Sequence, residues 1–165
     1  MSAKLNEQST NAAMEQPRVF LVEDDPAMHM LLTTLIGRSE EVELELGVTT
    51  AGEAISHVPQ STADLILLDW HLPDGTGEHL LPEILAIRPQ MKVLFMSTLF
   101  EADRVTQALK DGAWGFIDKW RFEEDLFAGI QTVIDGERFV SPPLDRLLAL
   151  HSESGNQASG SQSSI

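Results

Sequence analysis

Short apolar runs that end on polar residues recur along this chain, and each is followed by a stretch with helical spacing. The first run is Arg18 to Glu23, Arg-Val-Phe-Leu-Val-Glu. After it, apolar residues fall at helical intervals from Ala27 to Ile36 and stop at Gly37, with Asp25 placed to cap the helix and Pro26 at its first position. Glu43 to Val48 alternates as a strand, and Ala51 to Val58 reads as a short helix before Pro59. Asp64 to Leu68 is a second buried strand, ending at Asp69. Leu72 to Gly77 is a loop by composition, and Glu78 to Arg88 is helical, with Pro82 kinking it or marking its first turn. Met91 to Met96 ends at Ser97, and Glu101 to Asp111 is an amphipathic helix closed by Gly112. Gly115 to Asp118 ends beside Lys119, and Phe122 to Asp135 is a long helix. Near-continuous apolar strands alternating with helices imply a parallel sheet covered on both faces. The expected fold is α/β, a doubly wound five-stranded parallel sheet flanked by five helices, with a short extra C-terminal helix.

The flanks differ in composition from this core. Residues 1–17 are polar and read as a flexible leader, residues 18–136 as the domain, and 137–150 as a linker with a small helix starting at Pro142 or Pro143. Residues 151–165 are Ser-, Gly- and Gln-rich and are expected to be disordered. The absence of cysteine excludes a disulfide scaffold, a thiolate zinc site and a cysteine nucleophile. Eleven basic against 26 acidic residues, a net charge of −15, argue against nucleic acid or an anionic membrane as direct partner. With no signal-peptide pattern and no apolar run of membrane length, the chain reads as soluble and cytoplasmic.

Parallel sheets of this kind bind ligands at the carboxyl ends of their strands. Four strands here end on Glu23-Asp24-Asp25, Asp69, Ser97 and Lys119. Taken singly, such residues are more often turn or helix caps and solvated charges. Their arrival at one sheet edge is what outweighs that reading. Clustered carboxylates hold a proton or bind a cation, and an all-oxygen donor set favours Mg²⁺. A lysine and a hydroxyl beside the metal suit phosphoryl transfer, with Asp69 as the nucleophile that becomes an acyl phosphate.

The segments Leu21-Val22-Glu23-Asp24-Asp25, Leu67 to Gly77, Met96-Ser97 and Gly112 to Lys119 together resemble the receiver domain of bacterial response regulators. The resemblance implies that Asp69 is the phosphoacceptor, and that Asp24 ligates Mg²⁺ directly and Glu23 through water. His71 would offer its backbone carbonyl to the metal, Ser97 and Lys119 would serve the phosphoryl group, and Ser97 with Phe116 would form the switch. Thr98 and Trp120 stand where many receivers carry alanine and proline, so a cis peptide after Lys119 is not expected. Gly112 to Lys119 and Gly136 to Pro142 look most like the NarL/FixJ group, whose members continue into a helix-turn-helix domain. Because a polar tail stands here instead, the chain is expected to act as a stand-alone receiver in a two-component or phosphorelay system, a signalling switch that catalyses only its own phosphorylation and dephosphorylation. A histidine kinase or histidine phosphotransfer protein would be the donor and an unidentified protein the target, with homodimerisation left open. The alternatives are a receiver fragment of a DNA-binding regulator and a pseudo-receiver that only binds. An aspartyl-phosphate phosphatase would place a second Asp where His71 stands.

Overall fold

The computed structural model describes residues 16–158; the first fifteen residues and the last seven, which hold most of the expected leader and part of the expected tail, lie outside the described residues. In chain order the elements are β1 (Arg18–Val22), α1 (Pro26–Gly37), β2 (Glu43–Val48), α2 (Ala51–His57) and β3 (Leu65–Asp69). A two-residue hairpin follows, β4 (His71–Leu72) and β5 (Gly75–Thr76), then α3 (Gly77–Ile87), β6 (Lys92–Ser97) and α4 (Ala102–Lys110). The remainder is β7 (Gly115–Asp118), a 3-10 turn (Lys119–Arg121), α5 (Phe122–Ile134), β8 (Phe139–Val140) and α6 (Pro142–Ala158).

The strands pair in the order β2-β1-β3-β6-β7-β8, all parallel. The apolar runs serve both faces by alternation. Val19 and Leu21 of β1 join Leu65, Leu67, Leu94 and Met96 under α1 and α5. Phe20 and Val22 join Ile66, Leu68, Val93 and Phe95 under the helices of the other face. The chain leaves β1 for β2 on one side and later returns to β3 on the other. That reversal opens a crevice at the carboxyl ends of β1 and β3.

Three features depart from the expected layout. The sheet has a sixth strand, β8, which pairs with β7 through Gly115 opposite Phe139. A Cβ on Gly115 would collide with the Phe139 carbonyl, so the glycine admits the extra strand. The segment read as a loop after Asp69 folds back as the β4–β5 hairpin, His71 opposite Thr76. Helix α6 also runs to Ala158, well into the segment expected to be disordered. Of the two placements expected for Pro82, the structure has the one inside α3, not its first turn.

Candidate functional site

Each carboxylate reaches the crevice because an apolar strand ends there. Glu23 and Asp24 follow β1, and Asp69 is the last residue of β3. Asp25, next in line, turns away and caps α1, its Oδ1 accepting from the Met28 N–H at 2.7 Å. One oxygen from each of Glu23, Asp24 and Asp69 lies within 4.8 Å of the others. Lys119, delivered by β7, lies 2.8 Å from Asp69 Oδ2 and donates to Glu23 Oε1 at 3.0 Å. The other oxygen of Asp69, Oδ1, accepts from the His71 N–H at 3.1 Å. Asp69 is 5% exposed, enough to be reached and too little to be hydrated freely.

Three carboxylates thus face one ammonium, and the titration behaviour reflects the imbalance. Burial pushes Glu23 up, the Lys119 hydrogen bond opposes it and Asp69 adds repulsion, leaving it at about 7. Burial and then the Asp69 carboxylate raise Asp24 as well. Burial alone would lower the Lys119 ammonium, but its bonds to Asp69 and Glu23 outweigh burial and hold it above the usual lysine range. Although Lys119 Nζ comes within 2.8 Å of Glu23 Oε2, that buried oxygen accepts no aligned hydrogen bond. An all-oxygen donor set with one unsatisfied oxygen and excess negative charge fits a hard divalent cation.

The other expected site residues are placed less directly. Ser97 ends β6 in the neighbouring strand, but its hydroxyl donates to the Leu99 carbonyl at 2.7 Å and accepts from the Leu99 N–H at 3.2 Å. Phe116 is fully buried, stacked on Phe95 with ring centres 5.1 Å apart and set against Trp70 at 5.4 Å. The expectation for His71 concerned its carbonyl; the contact seen from His71 to Asp69 is made by its N–H. Two further residues border the site without having been singled out for it. Arg104 of α4 lies over the Trp70 ring at 5.5 Å and is held by Glu78 of α3 at 2.7 Å. Beside them a cavity of about 280 Å³ is lined by Trp70, His71, Leu99, Phe100 and Phe116. The Arg–Glu pairing at two distant helix starts has no spacing signature in the sequence.

A family model described as the response regulator receiver domain matches residues 19–131. The chain belongs to that family. Among curated relatives, the Fimbriae Z protein of Salmonella typhimurium is 27% identical over 126 residues, 76% of this chain and 60% of that protein. The DNA-binding transcriptional activator DevR/DosR of Mycobacterium tuberculosis is 29% identical over 102 residues, 62% of this chain and 47% of its own. The receiver thus spans about 60% or less of the length of these relatives. A LuxR-family response regulator from Aurantimonas sp. superposes with a TM-score of 0.79 at 23% identity, covering 83% of this chain and 98% of that one. The isolated receiver domain of RcsB from Salmonella enterica, solved with the phosphomimetic BeF3⁻, gives 0.75 at 18% identity, covering 81% and 99%. These structures establish the flavodoxin-like receiver fold. As a receiver domain, the chain is of the signalling type found in response regulators of two-component systems. Receivers typically bind Mg²⁺ at an acidic pocket, and Glu23, Asp24 and Asp69 form such a pocket here.

Proposed function

We propose that this receiver is a phosphorylation-operated switch in which Asp69 accepts a phosphoryl group with Mg²⁺ held by Glu23, Asp24 and Asp69. The observation that carries this reading is the state of the Asp69 carboxylate. Lys119 grips one oxygen at 2.8 Å, the His71 N–H holds the other at 3.1 Å, and two acids stand alongside. That arrangement fixes a nucleophile in one orientation, which is the main help a phosphoryl acceptor needs. When bound, the metal ion offsets charge on the phosphoryl oxygens.

The donor is a phosphohistidine on a histidine kinase or histidine phosphotransfer protein. Its N–P bond breaks with the electron pair returning to the imidazole nitrogen, while an Asp69 oxygen forms the new O–P bond. Lys119 stabilises the incoming phosphoryl oxygens, and Ser97 turns from the Leu99 carbonyl toward them. Hydrolysis later returns Asp69 and inorganic phosphate, so the domain catalyses only its own phosphorylation and dephosphorylation. Output passes through changed protein–protein contact, with Phe116 repacking against Trp70 and Phe95 as Ser97 moves.

Incubation with acetyl phosphate and Mg²⁺ tests the reading. Mass spectrometry should find one phosphoryl group on the wild-type chain and none on Asp69→Asn. Equal labelling of the variant would sink the assignment.

A further inference from the structure

Among the described residues, Asp125 and Ser141 are buried polar side chains that the acidic crevice does not use. They meet at the far edge of the sheet. The Ser141 hydroxyl donates to Asp125 Oδ2 at 2.6 Å and accepts from the Asp118 N–H at 2.9 Å. The same Asp125 oxygen accepts from Arg121 Nε at 3.2 Å. The Ser141 N–H donates to the Phe116 carbonyl at 3.0 Å, and its own carbonyl accepts from the Leu144 and Asp145 N–H groups that begin α6. One serine therefore ties the first turn of α6 to the strand that carries Phe116 and leads directly into Lys119.

Beyond its first turn, α6 contacts α4. Leu144, 2% exposed, and the half-buried Leu148 pack into the cluster that holds Val105, Ala108 and Phe116. One turn further on, His151 Nε2 lies 3.2 Å from Asp103 Oδ1. Both anchors of α6 thus sit on elements that also reach the crevice. Asp118 ends β7 just before Lys119, and the loop from Ser97 runs into α4.

We infer that the flank of α4 bearing Val105 and Ala108 is a helix-binding surface, that α6 is its occupant in the unphosphorylated chain, and that phosphorylation loosens α6 from it; the inference rests on the phosphoacceptor reading. A phosphoryl group on Asp69 draws Ser97 off the Leu99 carbonyl, which shifts the loop into α4. The same group re-aims Lys119, which loads the Asp118–Ser141 hydrogen bond. Both changes act on the two anchors together. Coupling of this kind is reciprocal, so holding α6 down must weaken binding at Asp69.

The absence of native cysteine makes a direct test available. Asp103→Cys combined with His151→Cys, bridged by a short bis-maleimide, pins α6 to α4. Beryllofluoride with Mg²⁺, read by tryptophan fluorescence, should bind the bridged chain about fivefold more weakly than the unbridged double variant. In the wild-type chain, beryllofluoride should speed hydrogen exchange of the amides of residues 144–152 by about fivefold or more. Unchanged exchange, or equal affinity with and without the bridge, overturns the latch while leaving the phosphoacceptor reading intact. Failure of the wild-type chain to bind beryllofluoride removes both.

Discussion

Lys119 reaches two carboxylates that lie 50 and 96 residues away in the chain, and it is the cation that keeps them from repelling each other. Lys119→Met leaves Glu23 and Asp69 buried and unpaired, which should cost about 3 kcal/mol at neutral pH in metal-free buffer. Mg²⁺ should restore part of that loss, and urea titrations with and without the ion will read both effects. Glu45 illustrates the opposite sign. Burial alone would raise its carboxyl, but the Ser61 hydroxyl at 2.6 Å and the Thr62 N–H and hydroxyl at 2.7 and 3.0 Å hold it below its ordinary 4.5. Its contribution to stability is full above 4.5 and is lost as pH falls through the lower folded value. Glu45→Gln should therefore lower stability by about 1 kcal/mol at neutral pH. That gap should close as pH falls below 4.5 through the lower folded value, as thermal melts across the acid range will show. At this scale the residue types of the site were legible in the sequence, because a strand end places whatever residue follows it. The aim of the Ser97 hydroxyl was not legible. Its partner is the backbone of the loop that follows, and only the folded path of that loop brings the Leu99 carbonyl within 2.7 Å.

The five strand–helix units were visible as elements because each strand is short, apolar and bounded by polar residues. Which face each side chain takes was not visible, since Val19 and Phe20 are equally apolar and point to opposite layers. Strand β8 escaped for another reason. Two residues have no periodicity, and their pairing depends on the missing side chain of Gly115. Helix α6 is anchored by Leu144 and Leu148 in its first half and continues past His151 into residues of weak helix propensity, which is why its extent was not legible. Leu144→Ala should cost about 2–4 kcal/mol, because a nearly fully buried leucine leaves a cavity between α6 and the sheet. A single urea transition shifted to lower denaturant is the expected result; an unshifted main transition would mean that α6 melts on its own.

For the whole molecule, 26 acids against 11 bases make a self-repelling chain, and three of those acids meet in the crevice. A divalent cation bound there stabilises the fold by mass action, by about 2.7 kcal/mol at a hundredfold its dissociation constant. Calorimetric melts should thus rise with Mg²⁺ and fall back with a chelator, and Asp24→Asn should shrink the rise. Among the described residues no helix is long and apolar enough to cross a membrane. The sequence by itself determined the parallel α/β architecture and the residue types at the sheet edge, since the alternation of strand and helix leaves strand ends one place to gather. Only the tertiary structure decided that Ser97 faces its own loop, that Phe116 lies stacked inside, and that Ser141 ties α6 to the strand of Lys119. Those choices rest on packing and hydrogen bonds between segments far apart in the chain, and no local pattern of residues encodes them.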